Sequence, residues 1–388
     1  MPGVNTLKDL KHAFLLDKDI TFLNHGSFGA CPHDVFNVYQ DFQRQLERNP
    51  VEFLSRKAPQ LLAEARQVLA NYLHIAEDDV VYFPNPTTAI NMVARNINLQ
   101  PGDEILTTDH EYGAMDRTWR FVCRKTGAKY VQRSIKLPVT SHEDFVDAFW
   151  NGVTKQTKVI FISQITSPTA LIFPVREICH LARQAGILSI IDGAHSPGQI
   201  PLDLGAINAD IFAGACHKWL CAPKGAAFLY AQPHIQSILE PLVVSWGYEA
   251  ERPGTSQFID YHEWQGTRDL AAFLSVPSAI QFQENHSWDN VRVDCHALAL
   301  QARKEINDLT GLEAISPDSP QWIAQMVTIR LPQHVDPEVF KERLYNEYRL
   351  EVQALIWQNS PFLRLSFQAY NQQEDLDLLL EALNEVLT

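Results

Sequence analysis

Residues 187–229 hold an acid, two histidines and a lysine at spacings that chemistry can use. An apolar run, Ile187-Leu188-Ser189-Ile190-Ile191, stops at Asp192, and Gly193-Ala194-His195 follows. A second run, Asp210-Ile211-Phe212-Ala213-Gly214-Ala215, ends at Cys216-His217-Lys218-Trp219. A third, 225–230, comes after Pro223-Lys224. Short apolar runs bounded by Gly and Pro predict strands buried on both faces. Asp192 and Lys218 then fall just past strand ends, where open α/β sheets bind ligands. An acid and a lysine so placed suit pyridoxal 5′-phosphate. The lysine forms a Schiff base with the cofactor, and the acid keeps the pyridine nitrogen protonated so that the ring accepts electrons. Lys218 must be neutral at some stage, so its surroundings must lower its pKa by burial or by nearby positive charge. Singly, Asp192 reads as a helix cap and Lys218 as a solvated side chain; the ordered combination of strand, acid, strand, His-Lys and Pro-Lys-Gly is what carries specificity.

Three further places bear on such a site. Pro84-Asn85-Pro86-Thr87-Thr88-Ala89 follows a short apolar run and opens a helical pattern. Hydroxyls there are ordinary caps, and a helix N-terminus with free N–H groups is also an anion site. Arg364 sits inside Phe362-Leu363-Arg364-Leu365-Ser366-Phe367. An arginine in an apolar strand needs a partner, either an internal acid or a substrate carboxylate held bidentately. Asn24-His25-Gly26-Ser27-Phe28-Gly29 places two glycines in six residues, a pattern for a tight turn or for backbone approaching a ligand. Cys216, His217 and Cys221 lack a fourth ligand at suitable spacing, so no metal is expected.

The elements that must position these residues alternate. Predicted strands at 80–83, 102–108, 129–135 and 159–162 are separated by helical patterns, and another helix, 175–185, leads into the central stretch. That rhythm predicts a mainly parallel sheet with helices on both faces. After residue 230 it changes: 245–267 lacks periodicity, 270–309 reads as a long helical region, and 323–387 reads as a compact α+β unit. The expected division is a large domain over 20–266 and a small C-terminal domain over 267–388, joined by the N-terminal segment 1–19. The chain has 388 residues, 46% of them hydrophobic and 20% charged, which is ordinary for a soluble globular protein. Its formal charge of −14 argues against nucleic acid or an anionic membrane as partner. No apolar run reaches membrane-spanning length, residues 1–16 do not read as a signal peptide, and six scattered cysteines suit a reducing cytoplasm.

Asp192-Gly193-Ala194-His195-Ser196-Pro197-Gly198 and His217-Lys218-Trp219-Leu220-Cys221-Ala222-Pro223-Lys224-Gly225 resemble the class V aminotransferase family of fold-type I pyridoxal-phosphate enzymes, and within it the isopenicillin N epimerase-like branch. The resemblance runs from Asn24 to Asn371. It implies a seven-stranded-type, mainly parallel sheet and a homodimer with shared active sites. It further implies that His195 faces the cofactor's phenolic oxygen, and that Thr87, Thr88 and His217 hold its phosphate. Thr166 and Ser167 then touch the cofactor edge, and Arg364 with Asn24 binds a substrate carboxylate. Either His110 or Tyr112 stacks on the ring. Where cysteine desulfurases carry a phosphate-binding serine, this chain has Ala215; Thr88 and Thr267 are the available substitutes, with Thr267 reaching the partner's site. No cysteine follows Cys295, which disfavours persulfide chemistry by the desulfurase route. The expected reaction is epimerisation of an amino acid, in which freed Lys218 removes the α-proton and the resulting carbanion is delocalised into the ring. β-Elimination, as in C–S lyases, is the first alternative and transamination the next. A catalytically silent binding protein of the same fold is the contrasting class, against which the joint retention of Asp192, Lys218 and Arg364 argues.

Overall fold

The structure is a computed structural model that describes residues 10–387; the part of the expected N-terminal segment that falls on 1–9 lies outside them. The described residues form twelve strands, in chain order β1 (Thr21–Phe22), β2 (Val80–Phe83), β3 (Glu104–Thr108), β4 (Lys129–Arg133), β5 (Thr157–Ser163), β6 (Leu188–Gly193), β7 (Ile211–Ala215), β8 (Ala227–Ala231), β9 (Met326–Arg330), β10 (Leu350–Glu351), β11 (Gln353–Trp357) and β12 (Ser360–Ser366). Seven of them form one sheet in the order β2-β8-β7-β6-β5-β3-β4. β3 to β7 run parallel to one another, and only β8 runs against its neighbours β7 and β2. This is the α/β, mainly parallel architecture that the alternation predicts.

The two-residue period of these strands builds two cores. Leu106, Ile160, Ile162, Ile191 and Phe212 enter one apolar cluster. Their sequence neighbours Ile105, Val159, Phe161, Ile190 and Ile211 enter the other. Successive side chains point to opposite faces, so a strand covered on both sides must be apolar at nearly every position. β6 shows the consequence, with only Leu188 incompletely buried.

A three-stranded antiparallel sheet, β11-β12-β9, forms from the C-terminal part, and β1 pairs in parallel with β10. Thr21 is thereby tied to Leu350, while Phe14 packs edge-on against Tyr370 at 5.0 Å. The long helical region is three helices, Ala271–Leu274, Val276–Asn285 and Trp288–Thr310. Pro277 at the start of the second and Ser287 at φ +50° explain the breaks, because neither a ring nitrogen nor a left-handed residue continues an α-helix. Among the described residues no helix is long and apolar enough to cross a membrane.

Candidate active site

The carboxyl ends of β3, β5, β6 and β7 open on one edge of the large sheet. From β3 the chain runs outward to β4, then returns to β5 and proceeds the other way. A crevice forms at such a reversal. Here it is a cavity of roughly 210 Å³ whose lining includes Thr87, Tyr112, Asp192, His195, His217 and Lys218.

Asp192 is inside β6, one residue before its end, in register with Ser163 of β5 and Ala213 of β7. Sequence reasoning puts it past the strand; Gly193 extends the ladder because a Cβ there would lie 2.0 Å from the Phe212 ring, so only glycine fits beside β7. The Asp192 Oδ1 accepts from the Ala194 N–H at 2.9 Å. Burial pushes this carboxyl up, against the pull of the Ala194 amide and the Lys218 charge.

Lys218 lies three residues beyond β7. Its carbonyl accepts from His25 Nε2 at 3.0 Å, and the other His25 nitrogen accepts from the Tyr370 hydroxyl at 2.9 Å. Gly29 (φ +72°) presses on the same loop: a Cβ on it would stand 2.2 Å from the His217 carbonyl oxygen and 2.8 Å from the Lys218 Cα. The Asn24–Gly29 turn therefore brings backbone against the lysine loop itself. The Lys218 amine is pushed down to about 8, first by burial and then by the positive charge of Arg364, with Asp192 opposing. Its Nζ is 3.2 Å from His195 Nε2.

The helix Pro86–Asn96 points its N-terminus at this cavity. Asn85 caps it, its Oδ1 accepting from the Thr88 N–H at 2.8 Å and the Thr88 hydroxyl at 3.0 Å. Thr88 is thus spent on the cap, and Thr87 is the threonine lining the cavity. His217 donates Nδ1–H to the Ala226 carbonyl at 2.8 Å, and burial lowers its pKa to about 4. Its neutral ring offers a lone pair at Nε2, so a phosphate there must bring its own proton or protonate the ring.

The remaining expected residues separate into those at the cavity and those behind it. Tyr112 lines the mouth, 48% exposed. His110 does not reach it: the ring is fully buried, Nε2 donates to the Ile135 carbonyl at 3.0 Å, Nδ1 accepts from Thr169 at 2.7 Å, and Trp357 packs 4.4 Å away. Ser167 lines the cavity, whereas the Thr166 hydroxyl turns back to Thr169 at 2.8 Å. Asn24 is occupied by Glu351 and Ser27 at 3.3 and 2.6 Å. Thr267 is exposed and outside the cavity of its own chain. Arg364 is buried and donates to the Ser167 carbonyl at 2.7 Å, the Ser167 hydroxyl at 3.1 Å and Ser27 at 3.0 Å. Among the described residues its Nε has no partner and no carboxylate forms an ion pair with it.

Sequence reasoning passes over Asn85, Ser27 and Ser163, all at the cavity, and Glu111 behind it. Asn85 had a signal, an Asn directly before Pro and two threonines at a helix start. Ser27 lies within the glycine-marked Asn24–Gly29 turn, and nothing local marks Ser163 or Glu111. Taken together, the donor set suits pyridoxal phosphate: an amine with a depressed pKa, a buried carboxylate at the adjacent strand end, a capped helix N-terminus and one tyrosine ring border a single cavity.

The family described as Aminotransferase class-V matches residues 23–379. The chain belongs to this family. As a class-V aminotransferase-family enzyme it is 36% identical over 385 residues to an isopenicillin N epimerase of Amycolatopsis lactamdurans, covering 96% of each chain. It is 25% identical over 402 residues to a probable chloroplastic L-cysteine desulfhydrase of Arabidopsis thaliana, covering 95% of this chain and 83% of that one. Among solved structures, the apo cysteine desulfurase of Thermococcus onnurineus NA1 superposes with a TM-score of 0.85 at 18% identity, over 100% of this chain and 99% of that one. The fold of the class-V family member is thus that of the fold-type I enzymes.

Proposed function

We propose that this enzyme uses pyridoxal 5′-phosphate to exchange the α-proton of an amino acid, in the manner of an isopenicillin N epimerase. The observation that carries the substrate class is Arg364. Among the described residues this buried guanidinium bonds to two serines, its Nε is unpartnered and no carboxylate pairs with it, so its charge is uncompensated. Such a charge costs several kcal/mol unless an anion joins it. Both serines line the cavity, so a carboxylate entering there completes the set.

When bound, pyridoxal phosphate supplies an aldehyde for an amine and a ring that withdraws electrons from Cα. The chain supplies the rest. Asp192 keeps a proton on a basic nitrogen brought against it. Lys218, neutral above about pH 8, takes a proton from a carbon beside it, and epimerisation follows when a proton returns to the other face of that carbon. Thr87 and the helix N-terminus behind it receive the phosphate, and Tyr112 covers an aromatic face. The proposed working unit is a homodimer in which Thr267 reaches the partner's phosphate site. That reading is supported by the exposure of Thr267 and of the mouth residues Phe28, at 73%, and Tyr112.

Epimerisation is preferred to β-elimination because identity to the epimerase, at 36%, exceeds that to the desulfhydrase, at 25%. Incubation of the pure holoenzyme with L-amino acids in heavy water separates the two. Deuterium at Cα with loss of optical purity is the expected result. Release of pyruvate and ammonia without racemised substrate establishes elimination instead, and an enzyme that acquires no borohydride-sensitive visible band with pyridoxal phosphate removes both.

A further inference from the structure

Trp219 follows Lys218 directly and is fully buried. Its indole N–H donates to His195 Nδ1 at 3.2 Å, and the other nitrogen of that ring, Nε2, stands 3.2 Å from the Lys218 amine. An indole N–H can only donate, so Nδ1 must hold a lone pair. A neutral imidazole with Nδ1 bare carries its proton on Nε2, toward the lysine. Turning the ring over replaces both nitrogens with carbons and loses both contacts.

We infer that Trp219 is a positioning residue that fixes the tautomer of His195, so that Nε2 presents a proton rather than a lone pair to the Lys218 amine. Two protonation states of Lys218 then differ sharply. A neutral amine accepts from Nε2–H. An ammonium sets two donors face to face, and moving the histidine proton to Nδ1 only transfers the clash to the indole. Charging His195 offers no relief, because an imidazolium donates from both nitrogens, and burial together with Lys218, Arg364 and His25 disfavours it. The geometry of Trp219 is enforced: its ring packs 4.9 Å from His25, and its carbonyl accepts from Gln283 at 2.8 Å. Gly198 (φ +86°) would put a Cβ 2.2 Å from that same carbonyl oxygen. The other charges acting on Lys218 are Arg364 from β12, which also disfavours the ammonium, and Asp192 from β6, which favours it. Trp219 thus adds to Arg364 in shifting the lysine toward its unprotonated, reactive form. The consequence for reactivity rests on the proposed role of Lys218; the tautomer does not.

The test is made on full-length apo-protein, so that it stands apart from turnover. Nitrogen-15 spectra of histidine-labelled protein, with His195→Gln for assignment, should show His195 neutral and protonated at Nε2. Competitive labelling with acetic anhydride reads the pKa of Lys218 directly. Trp219→Phe, and replacement of Trp219 by benzothienylalanine, which keeps the bicyclic shape and lacks only the N–H, should mix the tautomers. Each should raise the labelling pKa of Lys218 by about one unit, a roughly tenfold loss of free amine at neutral pH. A proton found on Nδ1 in the wild type overturns the inference. So does an unchanged Lys218 profile in the folded benzothienyl protein. The expected tautomer and shift in a protein that takes up no pyridoxal phosphate support this inference while removing the proposed function.

Discussion

Arg364 is a buried charge with no acidic partner among the described residues. It accepts burial inside β12, its pKa is lowered to about 10 by that burial, and it has serines where an acid would be expected. Charge-assisted hydrogen bonds contribute about 1.5–3 kcal/mol each, and the planar fork of arginine makes two of them to one carboxylate. Lysine offers one point charge. Arg364→Lys should therefore raise KM for amino acids and lower kcat/KM about 10–100-fold, with pyridoxal-phosphate occupancy unchanged. Exchange at Cα of an amine that lacks the carboxylate should change far less. Equal losses for both substrates, measured as deuterium exchange rates, would assign Arg364 to holding the cavity wall.

At the scale of elements, what joins the strand ends around the cavity is Glu111. Its carboxylate accepts from the hydroxyl of Thr108, the last residue of β3, at 2.7 Å, and from the N–H and hydroxyl of Ser163, the last residue of β5, at 2.9 and 2.6 Å. It pins two neighbouring strands at the switch point of the sheet. Burial raises its pKa from 4.5 to about 8; the Ser163 and Thr108 bonds oppose this, and the charge of Asp192 adds to it. A carboxyl raised on folding takes up a proton, so its contribution is full below about pH 4.5 and declines through the window up to about 8. Glu111→Gln keeps the strand link through an amide and has nothing to titrate. The difference in stability between variant and wild-type apo-protein should be small at pH 5 and favour the variant by ~1–3 kcal/mol at pH 8.5. Thermal unfolding curves that run parallel across that range would refute the assignment.

For the whole molecule the question is whether one chain makes a complete site. Thr267 is exposed and Gly266 beside it sits at φ +101°, and the proposed phosphate site has Ala215 where the resemblance implies a serine. If Thr267 serves the partner's site, mixed Lys218→Ala and Thr267→Ala chains assemble heterodimers with one doubly damaged and one intact site. Activity should return on subunit exchange, toward about a quarter of the wild-type rate per chain for random pairing of equal amounts with both homodimers inactive. No recovery from a mixture shown to exchange, or full activity in a sedimentation-defined monomer, would rule out a shared site.

The sheet is legible in the residues alone, because a strand buried on both faces must be written as an uninterrupted apolar run, and the runs ending at Asp192 and Ala215 can be read without partners. The sequence also placed Asp192 and Lys218 at one edge, since parallel strands in a βα alternation all end on the same side. The choice between His110 and Tyr112 was not in the sequence. Both follow β3 within four residues, and only the packing of Ile135, Thr169 and Trp357 takes His110 into the interior and leaves Tyr112 at the mouth. Likewise Thr87 and Thr88 are equivalent as letters until the Asn85 cap claims one of them. The pin at Glu111 and the contact of Trp219 with His195 join residues 52 and 24 positions apart. Local patterning records which face a residue takes in its own element; which side chains meet across elements is decided only when those elements pack.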